Sequence, residues 1–221
     1  MLIAAALAGA SPPPLPPDAL AHAQAEALIA GLDEQLLATR SATATLGEWC
    51  ALHRLAPDPT IVAVADRVPP VAPTAEQRAL LGVGPDDAVA YRRVQLKCGS
   101  HVLSVAENWF VPARLDAAMV NALATTDVPF GRVIAPLKPY RQTLNAERLW
   151  HPLAPGWEQR ATPEPAPGCQ PVPAALLRHR ALVLDARGRA LALVVETYQR
   201  EMLAFATPWA KRAAHCAVGH H

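Results

Sequence analysis

Residues 91–112, YRRVQLKCGSHVLSVAENWFVP, decide the fold. Two arms of alternating apolar and polar residues flank a short polar break at residues 99–101, Gly-Ser-His. On the first arm, one face carries Val94, Leu96 and Cys98, and the other carries a set of polar residues, Arg93, Gln95 and Lys97. Alternation with a period of two, around a break that contains glycine, predicts an antiparallel β-hairpin.

The same pattern returns in residues 178–202, RHRALVLDARGRALALVVETYQREM. Residues 185–188, Asp-Ala-Arg-Gly, form the turn, and leucine and valine dominate both arms. An isolated two-stranded hairpin is at best marginally stable in water, so each hairpin needs further strands beside it. We therefore expect both hairpins to belong to one antiparallel sheet, within an α+β fold.

The remaining segments predict helices and one further strand. A proline-rich stretch, residues 11–17, leads into a helical hairpin over residues 18–56, with a stripe of leucines on its first helix, Leu20, Leu28, Leu32 and Leu36. Residues 60–68 predict a strand, residues 74–81 a short helix capped by Thr74, and residues 116–124 another helix. Residues 132–140 are predicted to be extended and residues 141–150 to be mixed. This divides the chain into a leader and spacer (1–17), a helical hairpin (18–56), an α+β domain (57–206) and a tail (207–221).

Composition and charge exclude several classes of function. Charged residues make up 18% of the chain, hydrophobic residues 52%, and the formal net charge is +1. The basic residues form no run, so the charge gives no reason to expect nucleic acid or an anionic membrane as a partner. No stretch is long and apolar enough to predict a membrane span.

The first ten residues, MLIAAALAGA, resemble the end of a secretory signal, with small residues before a cleavage point. This predicts an exported protein, periplasmic or secreted, whose mature chain begins near Ser11. The alternative is a slightly apolar, disordered N-terminus on a cytoplasmic protein.

The chain has four cysteines, at Cys50, Cys98, Cys169 and Cys216. They include no C-x-x-C pair, which argues against a zinc site. Four cysteines can pair in three ways, and free thiols are the alternative. Cys98, on the apolar face of a predicted strand, is interpreted as a small core residue.

Three stretches together resemble the chorismate lyase family, whose fold is shared by the ligand-binding UTRA domains of bacterial transcription regulators. They are the hairpin of residues 91–112, the segment DVPFGRV at residues 127–133, and the hairpin ALVLDARGRALALVVETYQREML at residues 181–203. The resemblance implies an antiparallel sheet of about six strands with helices around it and a buried ligand. It implies elimination of pyruvate from chorismate to give 4-hydroxybenzoate, without metal or cofactor.

The resemblance also implies site residues. The substrate-binding arginine of the family falls on Arg93, its glutamate on Glu196, and its glycine turn on Gly131 with Phe130 beside it. A guanidinium can fork onto a carboxylate of the substrate, and a buried carboxyl could act as the proton donor. Arg92 competes with Arg93, because it shares a face with apolar residues and a charge there needs a partner or a pocket.

Further candidates come from the residue types. Arg132 and Arg141 could hold a second carboxylate, and residues 107–109, Glu-Asn-Trp, could line the pocket. Each candidate also has a structural interpretation, as a solvated strand arginine or a packed aromatic ring. Glu196 is the hardest to explain as solvated, because its strand consists otherwise of leucine, alanine and valine.

Two functions therefore remain open. The first is a chorismate lyase-like enzyme acting on a small aromatic or cyclic carboxylate. The second is a non-catalytic module of the same fold, which binds a small carboxylate or has a structural role, outside the cytoplasm if the leader is cleaved. The helical N-terminal region lacks a basic recognition helix, which disfavours a transcription factor.

Overall fold

The computed structural model of the chain describes residues 17–66, 68–160, 164 and 172–206. The predicted leader, most of the proline-rich loop between residues 155 and 173, and the tail from residue 207 onward lie outside the described residues.

The centre of the molecule is a six-stranded antiparallel sheet with the strand order β1-β2-β3-β6-β5-β4. Its strands are β1 Ile61–Ala65, β2 Ala90–Cys98, β3 His101–Phe110, β4 Tyr140–Arg148, β5 Ala175–Leu184 and β6 Ala190–Gln199. The α+β class and the antiparallel sheet predicted from the sequence are therefore confirmed.

The two predicted hairpins, β2–β3 and β5–β6, meet at the middle of the sheet. β3 pairs with β6 in a register that runs from Ser104 opposite Tyr198 to Phe110 opposite Ala192. Gly99 and Gly188 occupy the hairpin turns with φ of 55° and 80°, a left-handed region that glycine enters without steric cost. The pairing confirms that sequence-distant hairpins form one sheet.

In the described part of the chain, five α-helices pack around the sheet: α1 Pro17–Ala38, α2 Ala42–Leu52, α3 Ala75–Leu81, α4 Ala117–Thr125 and the single turn α5 Phe130–Val133. Short 3-10 turns follow at Pro112–Arg114, Ala135–Leu137, Trp157–Gln159 and Arg200–Leu203. Thr74 caps α3, as predicted, and Gln77 completes a capping box with it. The expectation that residues 132–140 are extended is wrong, because helical turns occupy most of that segment.

Helices α1 and α2 cover one face of the sheet. The buried stripe of α1 is formed by Ala21, Ala25, Ile29, Leu32 and Leu36. The predicted leucine stripe is therefore half right: Leu32 and Leu36 are buried, whereas Leu20 is 46% exposed. Helix α3 packs on the opposite face, where Leu81 joins a cluster with Trp109 and Leu193.

A disulfide joins Cys50 of α2 to Cys98 at the end of β2, with the two Cα atoms 6.4 Å apart. Both residues are fully buried. Cys98 is the core residue that its strand position predicts, but it is bonded to Cys50 and is not a free thiol. The bond fixes α2 to the first hairpin. Cys169 and Cys216 lie outside the described residues.

Candidate functional site

A cavity of about 510 Å³ lies between the sheet and the first turn of α2. Its floor and walls come from β2, β3, β4, β5 and β6, and its mouth comes from the start of α2 and the segment after α4. The apolar wall residues are Val94, Leu96, Ala106, Phe130, Ile134, Val183 and Val194. The strands supply eight of the 22 lining residues, and the other 14 come from residues 40–48 and 130–139.

An ion pair is built into the cavity lining. Arg141 of β4 donates from Nη2 to Oε2 of Glu196 on β6 over 2.8 Å. The side chains are 4% and 9% exposed, so the pair is almost completely removed from solvent. Tyr198 donates its hydroxyl to the same Oε2 over 3.2 Å. The buried carboxylate is therefore held by two donors on one oxygen.

Arg141 is held from the other side by α1 and by its own strand. Its Nη1 donates to the carbonyl of Leu36 over 3.2 Å and to Oγ1 of Thr143 over 3.3 Å. Its Nε is buried and has no hydrogen-bond partner among the described residues. One N–H of a fixed, buried guanidinium therefore remains unpaired beside the cavity.

A second polar contact behind the ion pair also reaches α1. His179 of β5 lies directly opposite Glu196 of β6, and its Nε2 is 2.7 Å from Oδ1 of Asp33. Burial lowers the pKa of His179, and the hydrogen bond to Asp33 opposes that shift. The ring of His179 meets the ring of Tyr198 edge-on at 5.3 Å. Burial, with the charge of Glu196 adding to it, raises the pKa of Tyr198 well above its ordinary value, which keeps its hydroxyl a donor.

The mouth of the cavity is formed by the start of α2 and the turn that carries Gly131. Ser41 caps α2 by accepting a hydrogen bond from the backbone N–H of Ala44 over 3.3 Å. A Cβ added to Gly131 would lie 3.6 Å from Oγ1 of Thr43 and 3.8 Å from Oγ of Ser41. The turn thus lies against the first turn of α2, and both contribute to the lining.

The structure brings together most of the residues singled out in the sequence. The predicted residues that line the cavity are Asn108, Phe130, Gly131, Arg132, Arg141 and Glu196. Of the other two candidates at residues 107–109, Glu107 accepts a hydrogen bond from Tyr91 over 2.6 Å, and Trp109 packs in the cluster beneath α3.

Arg93 does not point into the cavity, which corrects the expectation taken from the family resemblance. It lies on the polar face of β2, and its Nε is 3.5 Å from Oδ2 of Asp66. With 38% of its side chain exposed, it is the solvated strand arginine that the alternation predicts. The arginine paired with Glu196 is Arg141 instead.

Arg92 is buried on the same side of β2 as Val94, yet it is not part of the cavity lining. Its guanidinium donates to the carbonyl of Thr126 over 3.0 Å and to that of Val128 over 3.3 Å. Burial lowers its pKa, and the charge of Asp127 partly offsets that effect. Arg92 therefore satisfies the backbone after α4 and anchors that segment to the sheet.

Four polar residues at the start of α2, together with Lys138, were missed by the sequence argument. The cavity is also lined by Arg40, Ser41, Thr43, Glu48 and Lys138. The N-terminal helices lie outside the family resemblance, and nothing in their local pattern indicates a contact with a turn about 90 residues away. The available signal was Ser41, because it marks the N-terminus of α2, where the first backbone N–H groups need hydrogen-bond partners.

Among the described residues, no cluster of three or more His, Cys, Asp or Glu side chains could hold a metal ion. None of the described helices has the length and apolar character that a membrane crossing requires.

Comparison with known proteins finds a curated protein that is similar to this chain in sequence. The chain is 41% identical over 191 residues to the uncharacterized protein y4mC of Sinorhizobium fredii, covering 86% of this chain and 81% of that protein. No protein-family model matches the chain.

Solved structures with a similar arrangement include two bacterial proteins. PhnF from Mycobacterium smegmatis has a TM-score of 0.47 and 10% identity, over 75% of this chain and 66% of that one. The possible transcriptional regulator YydK from Bacillus subtilis has a TM-score of 0.39 and 13% identity, over 64% of this chain. The matched part spans 59% of the length of YydK.

Proposed function

We propose that this chain, which belongs to the same family as the Sinorhizobium fredii protein y4mC, is a binding module for a small aromatic or cyclic carboxylate. The ligand would occupy the cavity above the Arg141–Glu196 pair. The observation that carries the proposal is this buried ion pair, with one N–H of Arg141 unpaired, in the lining of an otherwise largely apolar cavity.

A buried ion pair such as Arg141–Glu196 adds little net stability to a fold. Removing both charges from water costs several kcal/mol per ion, and well-packed apolar residues are often as stable or more stable in its place. A fixed guanidinium and carboxylate beside an empty volume are, by contrast, suited to orienting a ligand. The volume of about 510 Å³ lies in the range of small-molecule sites.

The apolar walls favour a flat or ring-shaped ligand. Phe130 and the aliphatic side chains of β2, β3 and β6 surround the volume, while polar groups converge at its floor and mouth. Such a division, with a mostly apolar body and a few placed polar groups, is typical of pockets that select one small molecule.

Lyase activity is the second candidate, favoured by the position of Glu196 in the cavity. An eliminating enzyme needs a carboxyl that gives up a proton to the departing oxygen. In this structure the recorded bonds of Glu196 make it an acceptor, from Arg141 and from Tyr198. Binding without turnover therefore agrees better with the geometry.

One experiment separates the two functions. The purified protein is incubated with chorismate, and 4-hydroxybenzoate and pyruvate are measured alongside the midpoint of thermal unfolding. The proposal expects a higher unfolding temperature with a ring carboxylate and no product, because a ligand that binds only the folded state stabilises it. Product formation that is lost in Glu196→Gln would establish the enzyme. No shift with chorismate, 4-hydroxybenzoate or benzoate would contradict the binding proposal.

We also propose that the chain matures in an oxidising compartment. The buried Cys50–Cys98 disulfide supports this, because such bonds persist mainly in exported proteins. N-terminal sequencing of the native protein tests it: a start near Ser11 supports export, and an intact Met1 on cytoplasmic protein contradicts it.

A further inference from the structure

The mouth of the cavity carries an excess of positive charge. Arg40, Arg132 and Lys138 line it, together with one acid, Glu48. All four are exposed. None of the three cations has an acidic partner at ion-pair distance in the part of the chain that the structure describes. Elsewhere on the described surface, Arg93, Arg178, Arg180 and Arg189 each meet a carboxylate, whereas the exposed Arg54 and Arg187 do not.

The first turn of α2 adds a second source of positive potential. Residues 41–44 line the cavity, and the Ser41 side chain satisfies the N–H of Ala44. The N–H groups that precede it in this 11-residue helix have no partner within the helix and carry the positive end of its dipole. The turn bearing Arg132 lies against this helix end, because a Cβ added to Gly131 would be 3.6 Å from Oγ1 of Thr43.

Lys138 reaches the mouth from an unusual backbone conformation. Its φ of 50° and ψ of 53° are left-handed, a region that residues other than glycine seldom adopt. Such conformations cost of order 1–3 kcal/mol and cluster at ligand-binding sites. The residue in this unfavourable backbone conformation is thus the one that brings a third cation to the mouth of the cavity.

The floor differs from the mouth in charge. Glu196 neutralises Arg141 at 2.8 Å, so the floor carries no net charge. A carboxylate brought to this floor would meet Glu196 as well as Arg141. An uncharged polar group, such as a hydroxyl or a carbonyl, would approach the ion pair without that repulsion.

We infer that the ligand binds with its anionic group, a carboxylate or a phosphate, at the mouth, between the first turn of α2 and Arg132 and Lys138. Its uncharged polar end would face Arg141 and Glu196. This inference rests on the proposed function. It reverses the orientation that the family resemblance implies, in which an arginine of the site binds the carboxylate of the substrate. It also gives the N-terminal helical hairpin a direct part in binding.

The test compares two probes of nearly equal shape, benzoate and benzamide, by calorimetric titration at low salt. We expect the wild-type protein to bind benzoate about tenfold more tightly than benzamide, because only benzoate carries the charge. Added salt should weaken benzoate and leave benzamide unchanged, since exposed charges are screened. Inorganic phosphate, titrated alone, distinguishes the two anions: tighter binding than benzoate assigns the mouth to phosphate esters.

Three variants locate the charge. The double variant Arg132→Gln/Lys138→Gln should lose the preference for benzoate and lose phosphate binding, while benzamide affinity stays the same. Glu196→Gln should keep the preference or increase it. A matched control, Arg178→Gln/Arg187→Gln, removes two exposed cations outside the cavity lining and should behave like wild type.

Other results would overturn the inference. Equal affinity for benzoate and benzamide in the wild-type protein would do so, as would a preference that survives the double variant. If neither aromatic probe binds, the proposed function fails for these ligands, and phosphate alone decides the mouth. Phosphate binding that the double variant abolishes would then still support the anion site, and absent phosphate binding would reject it.

Discussion

Arg141 and Glu196 pair across an intervening strand. Arg141 on β4 lies opposite Val183 of β5, whereas Glu196 on β6 lies opposite His179 of the same strand. The arginine side chain therefore passes over β5 to reach a carboxylate two strands away, at 2.8 Å. The pair ties the edge strand β4 to the centre of the sheet beneath the cavity.

Replacing either partner of this pair should destabilise the protein strongly. We expect Arg141→Met to lower the free energy of unfolding by about 3 kcal/mol, because it leaves the buried Glu196 without its cation. Urea unfolding of Arg141→Met, Glu196→Gln and the double variant measures the coupling. The double variant should be more stable than the two single effects predict by addition. Strict additivity would mean that the two side chains do not interact.

Tyr198→Phe should cost about 1 kcal/mol, because it removes one hydroxyl donor from a buried carboxylate and changes little else. Tyr198 is fully buried. The matched control is Tyr91→Phe, which removes a hydroxyl from the partly buried bond to Glu107 outside the cavity. Both variants lose a hydrogen bond, but only Tyr198→Phe should change ligand affinity. An identical effect of the two variants on binding would separate Tyr198 from the site.

Stability should fall as the pH drops below about 6.5, the ordinary pKa of histidine. Burial lowers the pKa of His179, so the unfolded chain takes up its proton before the folded chain does. The charges nearby are Asp33, Glu196 and Arg141, and the first two oppose the shift. The contribution is thus complete above the unfolded pKa and is lost on acidification.

Unfolding in urea at pH 7.5 and pH 5.5 checks this sign. His179→Asn should lose less stability between the two values than the wild-type protein does. The exposed His151→Asn should behave like wild type. Equal losses in all three proteins would show that His179 takes no part in the pH dependence.

The Cys50–Cys98 disulfide should contribute about 2–4 kcal/mol, because it closes a long segment of chain in the unfolded state. The two cysteines are 48 residues apart in the sequence. We expect alkylation of the denatured, unreduced protein to leave both residues unmodified, and prior reduction to expose both. An alkylated Cys50 without reduction would contradict the bond. The variant Cys50→Ala/Cys98→Ala measures the energy.

Arg92 and Arg93 should differ sharply although they are adjacent. Arg92→Met leaves the carbonyls of Thr126 and Val128 without their donor and should cost about 2 kcal/mol. Arg93→Gln breaks a partly exposed pair with Asp66 and should cost well under 1 kcal/mol. Neither should abolish ligand binding. A large loss of binding in Arg93→Gln would restore the assignment that the structure corrects.

The sheet could be predicted because its information is local. Alternation in β2 and β5–β6 marks two hairpins, and the buried face of β2 follows from the same period. Edge strand β4 was predicted only as mixed, since its outward residues, Gln142, Leu144 and Ala146, are exposed and do not alternate in polarity. The strand is recognisable only once β5 lies beside it.

The site was predictable in part. Glu196 could be singled out because it is a charged residue within an apolar strand. That prediction does not depend on knowing which residue pairs with it. Choosing its arginine requires the face of the sheet as well as the strand order, because β2 and β4 are both two strands from β6. Arg93 lies on the face opposite Glu196, in line with Glu107 and Val195. The contribution of α2 depends on a contact between segments far apart in the sequence, and no local pattern encodes such a contact.

The strand order also determines when the sheet can be completed during synthesis of the chain. β6 lies at the centre of the sheet but is the last of its six strands along the chain, so β3 and β5 lack their shared neighbour until it has left the ribosome. A nascent chain that ends before residue 190 would expose two unpaired strand edges, a hazard for aggregation. The carboxylate of the cavity arrives on that same final strand. Closure of the sheet and completion of the candidate ligand site therefore depend on the same ten residues, Ala190–Gln199.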